Sequence, residues 1–324
     1  MTSTSPSKIA CIFPGQGSQV VGMGRALFDQ FSEARATYAE ASDSLGWDVA
    51  RLSFEGPEAD LNLTAATQPA LLTASVATWR VFAQRGPIPA YVAGHSLGEY
   101  TALVCAGAVS FAHAVRLVHQ RGRYMQEAVE PGRGLMAAVL GLSRQTVLAL
   151  CRDAQAAKDG VVDAANFNAP DQIVIAGDRF TVDAAMQLAQ DAGAKRVIPL
   201  PVSVPSHCRL MIPASDRLYA DLKGIAWSEP SIPVVTNVEA KPLPNAQAIV
   251  DSLYRQLFSP LLWEDSVHFL LAQGVSTFIE IGPGRVLSGL VKKIDRSARV
   301  LNVGDPDTIA AAWTELSGSV RIAS

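Results

Sequence analysis

Gly94-His95-Ser96-Leu97-Gly98-Glu99 stands between the apolar run Tyr91-Val92-Ala93 and the helix-favouring stretch Tyr100 to Cys105. Strand, Gly-x-Ser-x-Gly and helix in that order predict a nucleophile elbow, a strained turn that lifts a serine oxygen clear of a sheet edge. Gly94 and Gly98 let strand and helix approach, and backbone N–H groups at the new helix start lie where an oxyanion can form. A glycine-rich turn holding a structural serine would carry the same letters, so Ser96 needs a base.

Five histidines are candidates. His113, His119 and His268 sit in helical patterns among polar neighbours, which suits surface or packing roles. His95 adjoins the serine, but neighbours on a strand point to opposite faces. His207 lies in Val204-Pro205-Ser206-His207-Cys208, an irregular segment stiffened by Pro201 and Pro205. Such a segment suits a fixed imidazole, with a capping histidine before a helix at Leu210 as the open alternative. Cys208 reads as packing. No obvious acid completes a Ser–His–acid triad, and no histidine pair has metal-ligand spacing on one helical face, so no metal is expected.

The elements that must position these groups follow from the rest of the chain. At 324 residues it can form one large domain or two moderate ones. Hydrophobic residues make up 49% and charged ones 18%, the profile of a soluble enzyme. The formal charge of −3 and the lack of a basic stripe argue against nucleic acid. Met1 to Lys8 is Ser/Thr/Pro-rich without an apolar core, so no signal peptide is expected. Ala102 to Val118 is broken by Gly107, Ser110, His113 and Arg116, so no membrane span is expected. Cys11, Cys105, Cys151 and Cys208 are widely spaced, reading as buried thiols in a reducing compartment, and cytoplasm is the expected location.

Lys8 to Phe13 reads as a strand, followed by the loop Pro14-Gly15-Gln16-Gly17-Ser18-Gln19. This loop resembles the start of a dinucleotide fingerprint, but Val20 occupies the third glycine position and no acidic-ended strand follows. It reads instead as a turn that brings the Gln16 backbone close to something. Helices are expected over 23–31, 34–45, 68–85 and 111–129. On the last of these, Arg116 and Arg123 read as solvated, as does Arg121 from periodicity alone. From Pro131 the order becomes strand (135–140), helix (143–157), strands (161–166 and 173–176), helix (181–192) and strand (196–200), a ferredoxin-like pattern inserted in a larger α/β unit. Strands over 233–236 and 277–281 and helices over 249–258 and 265–273 resume that unit, and Gly282-Pro283-Gly284 opens an expected final helix.

Together with the elbow, several segments resemble the malonyl-CoA:acyl-carrier-protein transacylases of bacterial fatty-acid synthesis. They are Phe13 to Gln19, Gln120-Arg121-Gly122 with Met125-Gln126, Pro205 to Cys208, Gln256-Leu257 with Pro260 and Trp263, and Glu280 to Gly284. They span nearly the whole chain in the family's order. Leu262 departs from it, since many members carry a polar residue there. The resemblance implies an α/β-hydrolase-like large subdomain (1–131 and 203–324) with an inserted ferredoxin-like small subdomain (132–202). It implies a Ser96–His207 dyad whose imidazole is oriented by the backbone carbonyl of Gln256, leaving that side chain immaterial, and an oxyanion hole at Gln16 and Leu97. Arg121, 25 residues after Ser96, is implied to bind the malonyl carboxylate, with Met125 and His95 beside the substrate. A guanidinium suits that role, because it is planar, bidentate and permanently charged.

The implied reaction is ping-pong transfer from malonyl-CoA to holo acyl carrier protein by a monomer without cofactor. The rivals are a discrete polyketide acyltransferase of the same fold, a serine thioesterase or esterase, and a non-catalytic carrier-protein-binding module.

Overall fold

The computed structural model describes residues 8–202 and 204–318. Met1 to Ser7 and residue 203, at the expected subdomain boundary, lie outside the described residues. The strands are β1 (Lys8–Phe13), β2 (Tyr91–Gly94), β3 (Gly134–Leu140), β4 (Val162–Ala169), β5 (Gln172–Asp178), β6 (Arg196–Pro199), β7 (Val234–Val235), β8 (Val275–Ile281) and β9 (Arg299–Val303). The helices are α1 (Arg25–Gln30), α2 (Ser32–Leu45), α3 (Val49–Glu55), α4 (Glu58–Leu61), α5 (Thr64–Phe82), α6 (Leu97–Cys105) and α7 (Phe111–Ala128). They continue as α8 (Arg144–Lys158), α9 (Arg179–Asp191), α10 (Ile212–Lys223), α11 (Gln247–Gln256), α12 (Trp263–Ala272), α13 (Val286–Ile294) and α14 (Pro306–Gly318).

Two sheets organise the molecule. The larger has the order β7-β2-β1-β8-β9, with every pairing parallel. Its strands are covered on both faces, which is why β1 reads as a continuous apolar run: Ala10 to Phe13 are fully buried. The smaller sheet has the order β4-β5-β3-β6 with antiparallel pairing. Its β3-α8-β4-β5-α9-β6 succession is the ferredoxin-like pattern. The apolar sides of α8 and α9, including Val147, Cys151, Val182 and Ala185, share one core with Ile173 and Ile175 of β5.

The sheets meet through the chain before α12. Phe167 N donates to Leu261 O and Leu261 N to Ala165 O, both at 2.9 Å. Leu262 packs against the core of the small sheet. Arg144 of α8 pairs with Asp265 of α12 at 2.5 Å.

Some local expectations need correction. The helix placed over 68–85 spans Thr64–Phe82 and contains Pro69. A helical proline removes the N–H owed to the carbonyl four residues back. Here that carbonyl, Ala65 O, lies 2.9 Å from His119 Nδ1, so His119 replaces the missing donor. The segment after Gly284 is α13 but not the final helix, because β9 and α14 follow it. Helices α3 and α4 fell in a stretch too short to show a helical period.

Candidate active site

Ser96 follows β2 and precedes α6, with backbone φ 54° and ψ −106°. That conformation is costly for any residue with a Cβ and is retained where the surroundings enforce it. The close approach expected of the glycines is present. A Cβ on Gly94 would fall on the Gly98 carbonyl, and one on Gly98 would fall on Phe13 O.

The kink also corrects the reading of His95. Strand alternation would put His95 and Ser96 on opposite sides, but alternation stops at Gly94, and both residues line one cavity. His95 Nε2 lies 2.9 Å from Asn168 Oδ1, and its ring meets Trp263 edge-on.

His207 is buried, with Nε2 2.8 Å from Ser96 Oγ and Nδ1 2.8 Å from the backbone oxygen of Gln256. The carbonyl requires a proton on Nδ1, which leaves Nε2 as the acceptor facing the serine. Burial and the nearby Arg121 charge push the imidazole pKa down to about 3, against the pull of the Gln256 carbonyl. The ring is neutral at pH 7, the state a general base needs.

Arg121 does not face water. It is 1% exposed on α7, because the apolar stripe of that helix (Leu117, Val118, Met125) turns it inward. Nη1 donates to Gln68 Oε1 at 2.8 Å, and Nη2 donates to Ser96 Oγ and Gln256 Oε1, each at 3.1 Å. These acceptors are all neutral, and Nε is buried with no hydrogen-bond partner. Met125 lines the cavity one turn on and accepts from Gln68 Nε2 through its sulfur at 3.3 Å.

Gln256 does more than supply a carbonyl, against the sequence expectation. Its side-chain Nε2 donates to Ser96 O at 3.1 Å and to Glu99 Oε2 at 2.9 Å, while its Oε1 receives Arg121. Sequence reasoning also missed Asn237. Its Oδ1 accepts from Ser96 N at 2.8 Å, its Nδ2 donates to Gly94 O at 2.6 Å, and its N–H donates to Glu99 Oε2 at 3.0 Å. A signal existed, since Asn237 stands just past β7 at the carboxyl end of a parallel strand, where open α/β sheets place their sites. Burial raises the Glu99 pKa to about 7, against the hydrogen bonds from Gln256 and Asn237.

A cavity of ≈ 230 Å³ joins these groups between the two sheets. Gln16 and Leu97 line it with Ser96, and neither N–H donates to a protein acceptor among the described residues. Asn166, Val174 and Met136 of the small sheet close one side, and Val286, Leu287 and Leu290 of α13 form another part of the wall. The other expected features are peripheral. His113 bonds Ser110 at the surface, and His268 lies 3.9 Å from Glu264. The four cysteines are free thiols, Cys105 half-buried and the others buried. Among the described residues no cluster of three or more His, Cys, Asp or Glu could hold a metal, and no helix is long and apolar enough to cross a membrane.

An elbow serine facing a neutral histidine, on a parallel sheet with a ferredoxin-like companion, defines the class of serine acyl transferases. The acyl transferase domain family matches residues 10–312 of this chain. The malonyl CoA-acyl carrier protein transacylase of Salmonella typhimurium (strain LT2) is 50% identical over 310 residues, covering 95% of this chain and 100% of that protein. A solved structure of a type II PKS acyl-carrier protein in complex with its malonyl-transacylase superposes with a TM-score of 0.93 at 47% identity, covering 95% of this chain and 100% of that one. The acyl carrier protein S-malonyltransferase of Vibrio cholerae gives a TM-score of 0.91 at 49% identity, covering 94% and 99%. The chain belongs to the malonyl CoA-acyl carrier protein transacylase family.

Proposed function

We propose that this enzyme moves the malonyl group of malonyl-CoA to the phosphopantetheine thiol of a holo acyl carrier protein, for fatty-acid synthesis, through a malonyl ester of Ser96. In the first half-reaction Ser96 Oγ attacks the thioester carbonyl while His207 Nε2 takes its proton. The N–H groups of Gln16 and Leu97 receive the oxyanion, and collapse expels the coenzyme A thiolate, which takes the proton from His207. In the second half the carrier thiol gives its proton to His207 and attacks the ester, and Ser96 leaves with that proton.

The observation that carries the malonyl assignment is Arg121, a buried guanidinium beside the nucleophile with only neutral acceptors and an unpartnered Nε. The buried guanidinium hydrogen-bonds no anion, and burial pushes its carboxyl neighbour Glu99 toward the neutral form, so an acyl group bearing its own carboxylate offsets the cost of the charge. Neutral acyl groups would not, which also argues against a general esterase. His95 and Met125 border the acyl group on this reading. Residues 1–131 with 203–324 form the catalytic subdomain and 132–202 the small one, and the enzyme works as a cytoplasmic monomer.

Intact-mass spectrometry tests the scheme. Malonyl-CoA should add one malonyl mass to the wild type and none to Ser96→Ala, and holo carrier protein should then remove it. An adduct on the alanine variant would end the Ser96 assignment. The likeness to a transacylase bound to a type II PKS carrier favours one second reading, transfer to a polyketide carrier. Comparing rates with fatty-acid and polyketide carrier proteins separates the two.

A further inference from the structure

Glu280-Ile281-Gly282-Pro283-Gly284 contributes no group to the chemistry above, yet its glutamate is a fully buried carboxylate on a central strand. Glu280 Oε1 accepts from Leu287 N at 3.0 Å, and Oε2 accepts from Ser288 N at 2.7 Å and Asn302 Nδ2 at 3.0 Å. Asn302 Nδ2 also donates to Ser288 Oγ at 2.8 Å, so β8, β9 and the first turn of α13 are locked together. The carboxylate takes up N–H groups that a helix start leaves without intrahelical partners.

The turn beyond it presses on the loop that carries Gln16. A Cβ on Gly282 would lie 3.0 Å from Pro14 Cγ and 2.5 Å from Ser75 Oγ, and one on Gly284 would lie 3.4 Å from Ser18 Cβ. Both glycines have positive φ, 129° and 85°. The contacts therefore fall at each end of Pro14 to Ser18, with Gln16 between them. The same turn leads into Val286, Leu287 and Leu290, which line the cavity.

We propose that the Glu280–Gly284 segment is a positioning element for the Gln16 N–H, with Glu280 as its anchor. The inference rests on the oxyanion role proposed for Gln16. That N–H sits on a loop without regular structure, so its aim depends on what packs behind the loop. Oxyanion stabilisation requires the donor to be held in place before charge develops. Replacing the carboxylate by an amide turns an NH₂ toward donors and loosens the α13 start. A methyl on Gly282 clashes with Ser75 Oγ and crowds Pro14.

The test follows single-turnover acylation of Ser96 by intact mass across malonyl-CoA concentrations, in wild type, Glu280→Gln, Gly282→Ala and Gln16→Pro. Thermal melts confirm that each variant folds. Gln16→Pro deletes the N–H itself and should slow saturating acylation by about 10²–10³-fold, the usual loss for one such donor. Misaiming the donor costs less than deleting it, so Glu280→Gln and Gly282→Ala should lose about tenfold in saturating rate. Their half-saturating malonyl-CoA should stay within about threefold of wild type, since the oxyanion exists only beyond the ground state. If those two fail to fold, Asn302→Ala, which removes one donor to Glu280, decides by the same criterion. Near-native acylation by Gln16→Pro would remove the oxyanion reading and this inference with it. A slow Gln16→Pro beside native saturating rates in the segment variants, or a change confined to half-saturation, would overturn the inference and leave the reading standing.

Discussion

Arg121 Nη2 donates to the same Ser96 Oγ, at 3.1 Å, that faces His207 Nε2 at 2.8 Å. The serine oxygen thus has a permanent cation on one side and a neutral base on the other. The cation favours the developing alkoxide and keeps the imidazole from charging prematurely. One side chain thereby tunes the dyad and, on the proposed function, also holds the substrate carboxylate.

Arg121→Ala should lower malonyl transfer and raise acetyl transfer in relative terms. A charge-assisted hydrogen bond to a carboxylate contributes about 1.5–3 kcal/mol, and malonyl transfer loses it. Acetyl transfer loses nothing of that kind and is relieved of an unpaired buried charge. The malonyl-to-acetyl ratio of kcat/KM should fall at least about tenfold for each 1.4 kcal/mol. Arg121→Lys should rescue in part, since an ammonium lacks the planar fork. An unchanged ratio in Arg121→Ala would remove the physical support for malonyl.

The acidic limb of acylation should also report Arg121. With the His207 pKa pushed down to about 3, kcat/KM for acylation should hold its plateau well below the usual imidazole range near pH 6.5. Removing the neighbouring cation raises the imidazole pKa, so in Arg121→Ala that limb should move to higher pH. A pH profile of Ser96 acylation from pH 2.5 to 7 in both proteins, which spans the wild-type limb, measures the shift. Coincident limbs would mean the charge does not reach the imidazole.

The elbow was legible because its chemistry is local: a strained strand-to-helix turn needs small residues at fixed offsets, and Gly94 and Gly98 announce it. The small sheet was legible for a related reason, since two-residue and helical periods alternate plainly from Leu135 to Leu200. Arg121 was not legible from its helix, because periodicity cannot tell a cation turned inward by its neighbours from one turned outward; family resemblance was needed. Asn237 and the Gln256 side chain lie far from Ser96 in sequence and meet it only through the fold, as Gln68 of α5 meets Arg121. No local pattern encodes that convergence.

Gln256→Ala separates carbonyl from side chain. The carbonyl facing His207 survives the substitution, so the dyad should keep its orientation. The amide contacts to Ser96 O, Glu99 and Arg121 vanish, leaving buried partners unsatisfied at about 1–3 kcal/mol each. Stability should fall by a few kcal/mol, and malonyl selectivity should weaken as Arg121 loses one of its supports. Chemical denaturation and the malonyl-to-acetyl ratio test the two halves. Native values of both would return Gln256 to a backbone role alone.

Glu99→Gln should change how stability depends on pH. Glu99 is buried under the elbow, its Oε2 accepting from Asn237 N and Gln256 Nε2 while Oε1 has no partner. Burial raises its pKa to about 7 from an ordinary 4.5, so the folded state binds its proton more tightly than the unfolded chain. The resulting stability is fully present below about pH 4.5 and is lost as pH rises through about 7, a span worth about 3 kcal/mol at 1.36 kcal/mol per unit. Glutamine keeps an oxygen for both donors and cannot ionise. The variant should therefore match wild type near pH 5 and exceed it by up to about 3 kcal/mol near pH 8. Other titrating groups act on both proteins alike, so the difference between their urea midpoints isolates Glu99. A difference that stays constant from pH 5 to 8 would show that Glu99 is ionised throughout, held by Arg121 more firmly than burial opposes it.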